Sequence, residues 1–200
     1  MADPTVSLCP LHICPDLIDS CAELLKNTWP CCKTERLPRL TAEESSGLPC
    51  SLILIEHRGN VSDAVIGYVR LIRMTHPRSP PSAYMEAVCI HSSKRGCGLG
   101  TKMMRMTERY AVDTLGCGQV FLTCFESVVE FYKRLSYQVY PELSLETVGA
   151  NLLGQFDVAA SWYGNKPQPG WEYVYNNGPF ISKDEIRRGV FGSTMRKILE

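Results

Sequence analysis

Six residues, Arg95-Gly96-Cys97-Gly98-Leu99-Gly100, spell R-x-x-G-x-G where an apolar run ends and a helical pattern begins. That placement has a chemistry. Backbone N–H groups at a helix N-terminus lack intrahelical partners and carry the positive end of the helix dipole, so they attract phosphate, and glycine lets the backbone approach it. The plain alternative is a tight strand-to-helix turn with no ligand. A dinucleotide-binding turn would need G-x-G-x-x-G after the first strand of a βαβ unit and an acidic residue about 20 positions later. Here the glycines read G-x-G-x-G after the third apolar strand pattern, which argues against a nicotinamide enzyme. A second cluster, Cys9, His12, Cys14, Cys31 and Cys32, offers zinc-ligand residue types. No two-residue-spaced cysteine pair recurs in it, so no metal is expected.

The elements that must hold the turn are legible in the periodicity. Leu17, Cys21, Leu24 and Leu25 recur at helical spacing, with Asp16 as N-cap and Pro30 as terminator of a first helix. Residues 51–56 (SLILIE) and 64–74 (AVIGYVRLIRM) are apolar runs separated by Gly59-Asn60, which predicts a hairpin. After a proline-rich loop at 75–82, residues 83–90 (AYMEAVCI) read as a buried strand leading into the glycine turn. Leu99, Met103, Met106 and Tyr110 then share one face of a long helix ending at Gly116. A strand at 119–124, a short helix at 127–135 and a strand at 137–140 complete an order β-β-β-α-β-α-β. Beyond Pro141 the spacing allows a helix at 143–153, a Gly-, Pro- and Asn-rich surface insertion at 165–179 and a terminal strand within 189–199.

With 44% of 200 residues hydrophobic, the chain can bury one sizeable core, and a single domain over 1–200 is expected. Its 21 basic and 21 acidic residues cancel, so no global field draws it to nucleic acid or to an anionic membrane. The opening Met1-Ala2-Asp3-Pro4-Thr5 lacks the basic and apolar regions of a signal peptide. No apolar run reaches the roughly 18 residues of a membrane span, so a soluble, cytosolic protein is expected. The ten cysteines are then expected as reduced thiols.

Two motifs together make the chain resemble the GNAT superfamily of acetyltransferases. R-x-x-G-x-G after AVCIHSSK is similar to that family's pyrophosphate loop, and Phe131-Tyr132-Lys133-Arg134-Leu135-Ser136-Tyr137 is similar to its F-Y-x-x-x-G-[FY] segment. Ser136 stands where the family has glycine, and Phe125 where many members have an asparagine that contacts the cofactor. The resemblance covers residues 50–140 and implies the GNAT fold, an α/β architecture with a mixed central sheet of about seven strands flanked by helices. The core then lies at about 8–140, with 141–200 adding an insertion and a C-terminal strand. It also implies acetyl-CoA as co-substrate and no metal. Val88, Cys89 and Ile90 would present backbone groups to the pantetheine arm and an amide to the thioester oxygen. The amides of Gly96, Cys97, Gly98, Leu99, Gly100, Thr101 and Lys102 would grip the pyrophosphate, with Arg95 adding charge beside it. Tyr132 is the implied proton donor to the departing thiolate, and Glu86 the implied base, with His76 and His91 as other candidates. A core tyrosine and a strand-surface glutamate are the plain alternatives.

The opening segment narrows the resemblance. Ala22-Glu23-Leu24-Leu25-Lys26-Asn27-Thr28-Trp29-Pro30, with Lys33, Arg36, Leu37 and Leu40, and the strand Gly67-Tyr68-Val69-Arg70-Leu71-Ile72-Arg73 resemble the NatH branch, the N-terminal acetyltransferases of processed actin. The resemblance implies the actin N-terminus, with its consecutive Asp or Glu, as substrate. Cationic side chains should then line the peptide groove: Lys33, Arg36, Arg39, Arg70 and Arg73, with Arg36 the first choice and Trp29 as a wall. Arg70 and Arg73, three apart, face opposite sides of a regular strand, so both reach one groove only through a bulge. An α-amino group titrates near pH 8, roughly 2.5 units below lysine, so an N-terminal acceptor needs little help from a base. Profilin is the implied partner through a long polyproline stretch, of which this chain offers only Pro80-Pro81. The other readings are an acetyltransferase of small-molecule amines, which would want an acidic pocket, one acting on protein lysine, and a non-catalytic acetyl-CoA-binding protein.

Overall fold

The computed structural model describes residues 5–29, 47–57, 59, 63–74, 81–139, 171–172, 181–182 and 194–199. Its first element is absent from the sequence expectation. Thr5–Pro10 (β1) is an edge strand paired antiparallel with Cys50–His57 (β2). Only Val6 of its residues is buried, so the period-two signal is faint, and Pro10 is tolerated at the strand's end. Ile18–Thr28 (α1) follows. Asp16 is not its N-cap but part of a 3-10 turn, Pro15–Leu17, and Leu17, at the cap position, makes no side-chain cap hydrogen bond. A 3-10 turn ahead of the helix shifts its start along the chain. Cys21, Leu24 and Leu25 form the buried face, as their spacing predicts.

Ala64–Met74 (β3) pairs antiparallel with β2 from Cys50↔Leu71 to Glu56↔Ala64, so the hairpin stands, but its connection spans 58–63 rather than a two-residue turn. Ser82–Ile90 (β4) is antiparallel to β3. Leu99–Asp113 (α2) then crosses over to Gln119–Thr123 (β5), which runs parallel to β4. Val129–Lys133 (α3) and Gln138–Val139 (β6) follow. Trp171–Glu172 (β7) pairs with Ile181–Ser182 (β8), and Thr194–Ile198 (β9) returns to the main sheet. The sheet has seven strands in the order β1-β2-β3-β4-β5-β9-β6, the mixed α/β sheet the sequence implies. The terminal strand inserts between β5 and β6 and pairs with both. The helix expected at 143–153 lies outside the described residues, as does 165–179 apart from 171–172. No described helix is long and apolar enough to cross a membrane.

Both faces of the sheet are covered. Leu52, Leu54, Val69, Met85, Val120 and Leu122 pack with Met103, Met104 and Ala111 of α2. Ile53, Ile55, Val65 and Tyr68 pack with Cys21, Leu24 and Leu25 of α1. Alternate residues of β2 thus serve opposite cores, which is why SLILIE reads as a continuous apolar run. Lys197 of β9 donates to Glu108 Oε2 of α2 at 2.7 Å, and its ammonium lies 5.7 Å from the centroid of the Tyr137 ring. That contact fastens the inserted strand to the crossover helix.

At the end of α3, the amides of Leu135 and Tyr137 donate to the Tyr132 carbonyl at 2.9 and 3.1 Å, and Ser136 closes the turn at φ 68°. The left-handed conformation explains why glycine is the family's residue here: a Cβ in it costs about 1–2 kcal/mol. Ser136→Gly should therefore raise stability by about 0.5–1 kcal/mol, part of the relief being offset by the greater freedom of an unfolded glycine. Urea denaturation reads the change, and a loss of stability would mean that the serine side chain compensates its own strain.

Candidate active site

β4 and β5 share four register pairs, from Ser82↔Gln119 to Met85↔Leu122. Among the described residues their ladder ends there, although β4 continues to Ile90. On its opposite edge β4 bulges. Tyr68↔Cys89 and Arg70↔Glu86 leave Ala87 and Val88 facing Val69 alone, and Ala87 takes φ 53°. A bulge re-aims the backbone and ends regular pairing, and a non-glycine residue holds such a conformation only where its surroundings enforce it. The bulge therefore re-aims the backbone of 87–90, the stretch that β4 carries past its last register pair with β5.

The glycine turn follows directly. Gly96 and Gly98 adopt φ 80° and 75°, and a Cβ at either would meet nothing within 4 Å. Conformation, not crowding, requires them, and the space above them is open. Gly98 is the N-cap of α2 with no side-chain cap, and the first turn of that helix holds no acidic residue. An uncapped, acid-free start to a helix of 15 residues is a favourable anion site. The turn is fixed from below: Lys94 pairs with the buried Glu56 of β2, the Arg95 Nε donates to the Ile90 carbonyl at 3.0 Å, and the His91 amide donates to the Ile66 carbonyl at 2.8 Å. Arg95 is otherwise exposed beside the helix start, and Cys97, Leu99, Thr101 and Lys102 carry the chain from the turn into the helix.

The second motif comes to the same place. A Cβ on Gly100 would sit 3.4 Å from the Phe131 ring, so the first turn of α2 abuts α3. Tyr132 is buried edge-on between Phe131 and Tyr137, with centroid separations of 5.0 and 5.6 Å. Burial pushes its hydroxyl well above the usual tyrosine value, and Cys124 and Tyr84 push in the same direction. The group keeps its proton at physiological pH.

The charged candidates divide. Arg70 Nη1 donates to Glu86 Oε1 at 2.6 Å, with side chains 5% and 8% exposed, so the guanidinium expected to line a peptide groove is engaged by the carboxylate expected to act as base. Ser51 and Tyr68, joined by a 2.8 Å hydroxyl contact, lie beside them on the α1 face. Arg73 pairs in register with Ala83, with no bulge between it and Arg70, so the two face opposite sides of the sheet. Arg73 is exposed and its charge is felt at Cys117, beyond the C-terminus of α2 and at the far end of the crossover from the glycine turn. His91 is occupied by Ser93, whose backbone amide and hydroxyl contact its Nδ1 at 3.3 and 2.8 Å. Trp29 closes α1 half-buried against the α1-side core. Lys33, Arg36, Arg39 and His76 lie outside the described residues, as do Cys31 and Cys32. Among the described residues no group of three His, Cys, Asp or Glu side chains forms a metal site. Sequence reasoning missed the Lys94–Glu56 tie and the bulge at Ala87. A lone acid at the end of SLILIE hinted at the tie, whereas an alanine gives no sign of a positive φ.

The model of the Acetyltransferase (GNAT) family matches residues 18–137, and the chain belongs to that family. In sequence it is similar to the N-alpha-acetyltransferase 80 of Mus musculus, with 31% identity over 127 residues. That match takes in 62% of this chain and 39% of the relative, so the chain spans well under half of that protein's length. In structure it is similar to Arabidopsis thaliana NAA60 in complex with a bisubstrate analogue, at TM-score 0.60 and 12% identity over 98% of this chain and 100% of that one. It is also similar to the NatC complex bound to Gag peptide and CoA, at TM-score 0.52 and 14% identity over 68% of this chain and 86% of that one. Identities this low speak for the fold.

The Arg70–Glu86 pair gives a direct test of its role. Glu86→Leu removes the carboxylate that a buried guanidinium donates to and should cost up to about 3–5 kcal/mol, while adding Arg70→Met should recover most of it. Urea denaturation of the two variants decides. A Glu86→Leu protein of unchanged stability would show that the carboxylate is not structurally committed to Arg70.

Proposed function

We propose that the protein is a cytosolic N-alpha-acetyltransferase that transfers acetyl from acetyl-CoA to the free N-terminal amine of processed actin, which begins with consecutive Asp or Glu. The observation that carries the reading is the 31% identity to an N-alpha-acetyltransferase over 127 residues, beside a family match at 18–137 that contains both motifs of the site. The choice of actin rests on the likeness of the opening segment and of the β3 strand to the actin enzymes.

The residues fit acetyl-CoA. Left-handed glycines before an uncapped helix suit its pyrophosphate, and the bulged backbone of β4 beyond its pairing with β5 suits an extended pantetheine arm. When bound, it supplies an activated acetyl group as a thioester. Backbone amides near the Ala87 bulge would stabilise negative charge developing on the carbonyl oxygen. Tyr132 Oη, held protonated by burial, would give its proton to the departing sulfur. The acceptor α-amine would shed its proton to solvent before attack, because a sizeable fraction is neutral near pH 7. Glu86 would act by holding Arg70 and the β3–β4 register rather than as the immediate base. With Arg70 engaged and Arg73 distant, recognition of an acidic N-terminus falls to Arg36, with Lys33 and Arg39 as its neighbours in sequence.

Transfer to peptides beginning Asp-Asp-Asp or Glu-Glu-Glu should greatly exceed transfer to Met-, Ser- or Ala-initiated peptides and to an N-blocked lysine peptide. Arg36→Glu should abolish that preference. Activity confined to the lysine peptide would overturn the reading. Tyr132→Phe should lower kcat by about 10²–10⁴ with acetyl-CoA affinity unchanged. The raised Tyr132 value fixes the sign of the pH dependence: kcat/KM should climb as the acceptor amine deprotonates near pH 8 and then stay level to about pH 10, since the donor loses its proton only above that. A fall in rate beginning near pH 8 would contradict Tyr132 as the donor.

A further inference from the structure

The sulfurs of Cys9 and Cys14 are 2.6 Å apart, closer than non-bonded sulfur atoms ordinarily approach, and nothing in the proposed chemistry uses them. The backbone brings them together. Cys9 lies near the end of β1, and Cys14 sits between the 3-10 turns Leu11–Ile13 and Pro15–Leu17. The Cys14 amide donates to the Leu11 carbonyl at 2.9 Å and the Leu17 amide to the Cys14 carbonyl at 3.0 Å, so the loop between them is already closed. Both side chains are half-buried and within reach of solvent, whereas Cys21, Cys50, Cys89, Cys117 and Cys124 are buried. We propose that Cys9 and Cys14 form a reversible dithiol–disulfide site, closed by a small disulfide such as oxidised glutathione and reopened by reduced glutathione.

The exchange balances. The Cys14 thiolate attacks one sulfur of oxidised glutathione, the glutathione S–S bond breaks, and one glutathione leaves as thiolate and takes a proton. The Cys9 sulfur then attacks the Cys14 mixed disulfide, gives its proton to solvent, and releases the second glutathione. Two protein thiols are oxidised and one glutathione disulfide is reduced to two thiols. Burial and the neighbouring Cys14 push the Cys9 thiol up to about 12, so the first attack falls to Cys14 and the attack by Cys9 relies on its contact with the Cys14 sulfur. That step runs at the effective concentration of a preformed contact, and the sulfurs need only close to about 2.05 Å. The bond would tie the end of β1 to the approach to α1, the helix whose Cys21, Leu24 and Leu25 pack on the sheet and whose end leads into Trp29.

Non-reducing digestion and mass spectrometry of the full chain across a glutathione redox titration test this. The peptide carrying Cys9 and Cys14 should lose two hydrogens at oxidised glutathione levels roughly tenfold below those that half-modify the exposed Cys97. Cys9→Ser should trap a stable glutathione adduct on Cys14, Cys14→Ser should leave Cys9 unmodified, and Cys97→Ser should change neither. A mixed disulfide persisting on Cys14 in the wild-type chain would overturn the proposal. So would a bond from Cys14 to any other cysteine, Cys31 and Cys32 included, or no oxidation of the pair where Cys97 is modified.

Discussion

β4 and β5 run side by side for four register pairs, β4 then runs on alone to Ile90 beside no further β5 partner among the described residues, and the rest of the site is arranged around that end of the sheet. Parallel strands need a crossover, and the crossover here is α2, whose N-terminus lies at the end of the sheet where β4 runs past its pairing with β5. The glycine turn, the bulged backbone of β4 and the start of α2 are thus brought together by topology alone. The contact between Gly100 and Phe131 then brings α3, and with it Tyr132, to the same end.

Buried and half-buried charges fix these elements. Lys94 on Glu56 ties the glycine turn to β2, Arg70 on Glu86 ties β3 to β4 at the bulge, and Lys197 on Glu108 ties the inserted β9 to α2. Such pairs add little net stability, because desolvation offsets their attraction, but breaking one leaves a charge without compensation. They select one arrangement over others. Glu86 illustrates the consequence: the acid that looks like a base in sequence is held by a guanidinium sixteen residues earlier in the chain.

Local patterns in the chain announced much of this architecture. The apolar runs of β2, β3 and β4, the amphipathic face of α1 and the glycine turn each carry their own signal, and each is where the spacing puts it. What the chain hides is whatever depends on partners distant in sequence. β1 is short and mostly half-exposed, so it shows no period, and the place of β9 between β5 and β6 is a matter of pairing alone. The arginines are the sharpest case: Arg70 and Arg73 read alike in sequence, yet one is consumed by a buried carboxylate and the other stands at the far end of the crossover. Ser136 shows the reverse, a departure from the family pattern whose strained φ confirms that the backbone wants what glycine supplies.

The proposed binding of acetyl-CoA at this end of the sheet is tested most directly by amide hydrogen exchange of the full chain with and without it. Protection concentrated in 88–90 and 96–102, with little change in the α1-side core, is the predicted pattern. Binding without protection of those two segments, or protection confined to other parts of the chain, would contradict the account.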